Sequence, residues 1–265
     1  MPAKPVSAAT RRELSGRVAL VSGAGSPTGI GIATARALGQ LGAQLALTST
    51  TDRIHERVAE LRSEGVDAVG FVARLDTEEA VGVLATELNA AGLVPTILVN
   101  NAGMVSVSDG EMMTGGLDGA VADWRRSLDM SPTSAFLLTR AMVPGMRAAG
   151  WGRVVNVSSV SGAVMATRSD VAYATAKAGM VGLTRAVAVD EAAAGITSNA
   201  VAPGWIATGS QTDAEAAQGL SVPMGRSGTA TALAAARDGK SVLLVDENPV
   251  SGHQIGNDVP LYFGG

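Results

Sequence analysis

Residues 17–48 read RVALVSGAGSPTGIGIATARALGQLGAQLALT, and the order of patterns inside that stretch decides the fold. Residues 17–22 form a short run rich in valine and leucine that stops at a glycine cluster. Residues 30–40 are alanine-rich with helical periodicity and are closed by Gly42, and residues 44–48 are a second short apolar run. Strand, glycine turn, helix and strand within about 30 residues make a βαβ unit, whose crossover is right-handed and whose strands are parallel.

The alternation continues outward from that unit. Residues 54–64 read as a helix with Val58 and Leu61 on one face, 66–72 as a strand, and 78–91 as a second amphipathic helix. Residues 96–99 (TILV) lack alternation, as a strand buried on both faces does. Residues 124–149 carry long helical periodicity with a bend expected at Pro132. A strand at 153–157, a long helix at 171–193 and a strand at 197–201 complete the pattern. The spacing predicts an α/β chain with a doubly wound parallel sheet, a Rossmann fold, whose sites lie at the carboxyl ends of the strands.

At about 150 residues per domain, a chain of 265 residues leaves open one domain with a tail or one and a half domains. No repeat, low-complexity tract or Pro- and Ser-rich linker divides residues 17–205. The expected division is a lead at 1–13, one Rossmann-type domain at 14–229 and an irregular segment at 230–265. Composition is that of a folded chain, 46% hydrophobic and 17% charged. The absence of cysteine excludes disulfides, thiolate metal sites and cysteine nucleophiles. The two histidines, His55 and His253, have no ligand spacing, so no metal site is expected. A net charge of −4 with scattered Lys and Arg carries no nucleic-acid footprint. No apolar stretch reaches the roughly 18 residues that cross a bilayer, and the lead has no apolar block of a secretory signal. A cytoplasmic enzyme or binding protein is expected, with no nucleic-acid or membrane partner.

After the first strand comes Gly23-Ala24-Gly25-Ser26-Pro27-Thr28-Gly29-Ile30-Gly31. Such glycines admit close backbone approach, so that N–H groups and the N-terminus of the next helix can face a pyrophosphate. Glycine-rich turns also occur wherever a helix starts, but here the loop joins a strand to a helix, the context that nucleotide binding requires. The end of the second strand discriminates between cofactors, because an acidic residue there would accept from a ribose 2′-OH and repel a 2′-phosphate. It reads Thr48, Ser49, Thr50, Thr51, Asp52 and Arg53. Hydroxyls with Arg53 favour NADP, whereas Asp52 keeps NAD open.

Tyr173 and Lys177 stand one helical turn apart in YATAK. A lysine ammonium beside a phenol favours the phenolate and makes the tyrosine a usable acid and base. By itself such a pair is common on solvated helices. Fourteen residues before Tyr173, the strand at 153–157 runs into Ser158 and Ser159. Ser159 is placed to point into the crevice and donate to a carbonyl oxygen, and Ser158 is the weaker candidate. The strand at 96–99 delivers Asn100, Asn101, Ala102 and Gly103 to the same rim, as partners for neighbouring backbone or for a cofactor ribose.

These motifs, with Pro203-Gly204 followed by Ile206 and Thr208, resemble the short-chain dehydrogenase/reductase family over residues 14–229, and within it the 3-oxoacyl-acyl-carrier-protein reductase type. The resemblance implies hydride transfer between NADP(H) and a ketone or secondary alcohol, with a 3-oxoacyl thioester or similar carbonyl as substrate. It implies that Tyr173 moves the proton, Lys177 assists it and holds the nicotinamide ribose, and Ser159 binds the substrate oxygen. Ile206 and Thr208 would meet the carboxamide, and the chain would assemble as a homo-oligomer, a tetramer or dimer.

Four departures stand beside the resemblance. Where the family reads D-V-N-L-T-G-x-F with a catalytic asparagine, this chain reads Asp129-Met130-Ser131-Pro132-Thr133-Ser134-Ala135-Phe136, so Ser131 takes the asparagine position. The glycine loop fits only when counted from Gly25, and the third strand ends in Arg74 and Asp76 where an acidic residue is usual. In the tail, 230–238 reads as a short helix and 241–246 as a strand. That tail is either a shortened version of the family's ending or a fragment resembling half of a flavin-binding unit, and completion of a sheet edge or an oligomer contact is favoured. A second class of function therefore stays open, a nucleotide-binding or scaffold protein with impaired catalysis.

Overall fold

The computed structural model describes residues 13–103, 116–209, 213–222 and 225–230. In chain order the elements are β1 (Val18–Val21), α1 (Ile30–Gln40), β2 (Gln44–Ser49), α2 (Arg53–Ser63), β3 (Ala68–Val72), α3 (Glu78–Ala90) and β4 (Ile97–Asn100). There follow α4 (Val121–Leu128), a π-turn (Asp129–Thr133), α5 (Ser134–Ala148), β5 (Gly152–Val157), α6 (Val160–Ala163) and α7 (Val171–Glu191). After a 3-10 turn come β6 (Ile196–Val201), β7 (Ile206–Ala207), α8 (Asp213–Gly219) and β8 (Gly228–Thr229).

Strands β1 to β6 form one parallel sheet in the order β3-β2-β1-β4-β5-β6, the doubly wound arrangement that the alternation predicts. Strand order reverses between β1 and β4, which opens a crevice at their carboxyl ends. The strands read as continuous apolar runs because both faces are covered. Ala19 and Val21 of β1 face a cluster with Ile32, Ile54 and Leu61 of α1 and α2. Leu20, between them, faces the opposite cluster with Leu84, Leu138 and Met146 of α3 and α5.

The helix expected over 124–149 departs from expectation at Pro132. It begins earlier, at Val121, and instead of a simple bend it passes through the π-turn before resuming as α5. Proline has no N–H to give the carbonyl four residues back, so pairing slips to i→i+5, and Ser134 N–H donates to Asp129 O. The chain thus keeps its direction while one carbonyl loses its ordinary partner. The pair β7 and β8, which sequence patterning does not indicate, forms a separate two-stranded sheet. The expectations for the lead up to residue 12, and for the tail helix and strand beyond Ala230, lie outside the described residues.

Candidate active site

The loop after β1 is built for close approach. Gly23 has φ +68°, and a Cβ there would stand 2.9 Å from Ala102 Cα. A Cβ on Gly31 would lie 2.7 Å from both Gly23 O and Asn101 Nδ2, and one on Gly25 would lie 2.8 Å from Ser49 Cβ. The ends of β1, β2 and β4 therefore meet the start of α1 with no room for side chains.

Helix α1 begins after Gly29 with no side-chain cap and no acidic residue in its first turn. Helix α3, by contrast, has Thr77 accepting from Ala80 N–H and Glu78 and Glu79 in its first turn, the ordinary way of satisfying a helix start. Bare N–H groups at α1 beside a cradle of glycines fit a pyrophosphate. Thr28 Oγ1 accepts from Gly209 N–H at 2.7 Å, which joins this loop to the segment that follows Thr208. Gly29 N–H donates to Ser26 O, so Ser26 shapes the turn through its backbone.

At the end of β2, Ser49 is buried and its hydroxyl donates to Thr51 O at 2.5 Å. Thr50 is half-buried beside it. Arg53 Nε donates to Thr51 Oγ1 at 3.2 Å, so the guanidinium stands at the mouth of this turn. At the end of β3, Arg74 pairs with Asp76 at 2.9 Å, and this pair holds the Asp76 carboxyl below its ordinary range.

Ser22 is the fastener of the rim, a role that sequence reasoning missed. Its hydroxyl accepts from Asn101 N–H at 3.0 Å and Ala102 N–H at 2.9 Å and donates to Val99 O. Asn101 Nδ2 donates to Ser22 O and Gly23 O, both at 3.0 Å. Asn101 thus shows the first role foreseen for these amides, bonding to neighbouring backbone. Deeper, Asn100 Nδ2 donates to Asn156 Oδ1 at 2.8 Å, tying β4 to β5.

Lys177, on α7, is buried and donates from Nζ to Val157 O at 2.9 Å. Burial lowers its pKa to about 8. Nζ lies 5.8 Å from the centre of the Tyr173 ring. Ser158 donates to Lys177 O at 2.8 Å, so this hydroxyl fastens α7 to β5. Ser159 accepts from Ser161 N–H at 3.2 Å, and its own O–H makes no bond among the described residues. A donor left available at a strand end suits an incoming carbonyl oxygen. Val160 N–H donates to Pro203 O, which brings the segment containing Pro203, Gly204 and Ile206 against the same end of the sheet.

Ser131 joins this group from the π-turn. A Cβ on Gly103 would lie 3.0 Å from Ser131 Oγ, 3.3 Å from Met130 O and 3.6 Å from Lys177 Nζ. The three polar atoms thus surround one small hollow that the missing side chain of Gly103 leaves. Among the described residues no group of His, Asp and Glu could hold a metal ion, and no helix is long and apolar enough to cross a membrane.

The short chain dehydrogenase family model matches residues 17–219. The chain is similar to the 3-oxoacyl-[acyl-carrier-protein] reductase of Pseudomonas aeruginosa, 36% identical over 255 residues, covering 90% of this chain and 97% of that one. It is also similar to the D-beta-hydroxybutyrate dehydrogenase of Cupriavidus necator, 34% identical over 74% of this chain and 72% of that one. Among solved structures, a gluconate 5-dehydrogenase from Burkholderia cenocepacia in complex with NADP and tartrate superposes with a TM-score of 0.75 at 28% identity, covering 86% of this chain and 89% of that one. The chain belongs to the short-chain dehydrogenase/reductase family, oxidoreductases that act on carbonyl and alcohol substrates with NAD(P).

Proposed function

We propose that the protein is an NADP(H)-dependent reductase of a ketone, with a 3-oxoacyl thioester or similar carbonyl as substrate. The observation that carries this reading is the buried Lys177 ammonium 5.8 Å from the Tyr173 ring, with the Ser159 hydroxyl, which donates to no group among the described residues, at the carboxyl end of β5. A nicotinamide held there would supply or take the hydride. Ser159 O–H donates to the substrate oxygen and orients it. Tyr173 O–H gives that oxygen its proton in reduction and takes it back in oxidation. The Lys177 cation favours the deprotonated tyrosine and would hold the nicotinamide ribose, while Ser131 Oγ, across the Gly103 hollow, would orient a water that carries a proton from solvent to the Tyr173 and Lys177 pair.

In this reading Gly23, Gly25, Ser26, Thr28, Gly29 and Ile30 would hold the cofactor, with the start of α1 serving its pyrophosphate. Ser49, Thr50 and Arg53 would serve an adenosine phosphate. Asn101, Ala102 and Gly103 would hold the ribose, and Pro203, Gly204, Ile206 and Thr208 the nicotinamide. Exposed Val164, Met165 and Val171 lie on the stretch between Ser159 and Tyr173 and favour a substrate with an apolar body. The domain extends over 14–229 with an irregular ending, and the protein works in the cytoplasm. Exposed Val121, Trp124 and Phe136 on α4 and α5 support assembly with copies of itself.

The test is a panel of activated ketones and 3-oxoacyl thioesters with NADPH and NADH, run on the parent and on Tyr173→Phe. NADPH consumption by the parent, lost in the folded variant, supports the reading. The serine at the asparagine position favours a second reading, a nucleotide-binding protein with impaired chemistry. That reading predicts NADPH binding without turnover.

A further inference from the structure

The π-turn has a consequence at Met130. In an α-helix its carbonyl would accept from Ser134 N–H, but the slip that Pro132 forces sends that N–H to Asp129 O and Ser131 O. The Ser134 side chain takes over the vacated place. Its hydroxyl lies 3.0 Å from Met130 O and 3.1 Å from Ser131 O, so one proton is shared between two carbonyls. Ser134 and Ser131 are both buried, with 4% and 2% of their surfaces exposed, and water is a poor substitute donor there. The Met130 carbonyl also faces the Gly103 hollow, where Ser131 Oγ and Lys177 Nζ are its neighbours.

We propose that Ser134 is a positioning residue: its hydroxyl fixes the Met130 and Ser131 carbonyls of the π-turn and so keeps Ser131 Oγ facing Lys177 across the Gly103 hollow. The proposal rests on the catalytic reading of Tyr173, Lys177 and Ser131 given above. Without that hydroxyl, the Met130 carbonyl turns towards the Lys177 ammonium, which borders the same hollow. The turn then rotates, and Ser131 Oγ leaves the hollow. A carbonyl bonded to the ammonium stabilises its charged form, so Lys177 titrates at a higher pH than in the parent.

The test compares Ser134→Ala, Ser134→Cys and Ser134→Thr in the full-length chain. Cysteine keeps the volume with a weak donor and guards against an alanine variant that does not fold. The expected result is a kcat roughly five- to twentyfold lower for alanine and cysteine, a loss of the size that small misplacements in a catalytic group cause. The limb of the pH profile governed by Lys177 should move up, KM for NADPH should stay within about twofold, and threonine, which restores a hydroxyl, should recover most of the parental kcat. The proposal is overturned by parental kcat and pH profile in the cysteine variant, or by a loss that threonine does not relieve. Activity persisting in Tyr173→Phe would instead overturn the catalytic reading beneath it.

Discussion

Lys177 Nζ donates to Val157 O at 2.9 Å, which plants a cation at the carboxyl end of β5 with no carboxylate bonded to it among the described residues. Burial is the cause of its lowered pKa, about 8 against the ordinary 10.5. Between those two pH values the unfolded chain holds a proton that the folded chain has released. Folding stability therefore rises with pH across that window, and below it the charged lysine is a cost. Replacing it by methionine removes the dependence. The stability of Lys177→Met relative to the parent should be greatest near pH 7 and fall by up to about 3 kcal/mol towards pH 10.5, read from urea melts at several pH values. Parallel pH curves for the two proteins would contradict the buried-cation account.

Arg53 stands at the mouth of the β2 turn, held by Thr51 Oγ1. A charge-assisted bond to a phosphate contributes about 1.5–3 kcal/mol. Arg53→Ala should raise KM for NADPH by roughly ten- to a hundredfold while leaving KM for NADH within about twofold. Equal effects on both cofactors would place the adenosine phosphate elsewhere.

Gly31 is constrained by its neighbours more than by its own backbone. A methyl group there meets Gly23 O and Asn101 Nδ2 at 2.7 Å, and the backbone oxygen cannot move without moving β1. Gly31→Ala should lower the melting temperature by several degrees and weaken NADPH binding at least tenfold, measured by fluorescence titration. Unchanged binding would mean that the loop does not touch the pyrophosphate.

The sheet was legible because strands covered on both faces are unbroken apolar runs, and the runs ending at Val21, Val99 and Val157 alternate with amphipathic helices. Ser159, Tyr173 and Lys177 were legible as types at a spacing. Less was legible in the polar wiring. Pro132 announces a missing N–H, yet nothing in the local pattern says that pairing would slip to a π-turn or that Ser134, with the same composition as any surface serine, would serve Met130 O. Ser22 likewise lies at a strand end 79 positions from Asn101, and only the β1 and β4 pairing brings the two together. Ser49 reads as a phosphate ligand because it is a hydroxyl at the right strand end, and nothing in the pattern says that it also donates to the Thr51 carbonyl two residues on.

If Tyr173 exchanges the proton in an NADPH-driven carbonyl reduction, the rate of NADPH oxidation with a reducible ketone by folded Tyr173→Phe should fall. The expected loss is roughly 10²- to 10⁴-fold with NADPH affinity retained. Turnover equal to the parent in the phenylalanine variant would contradict it.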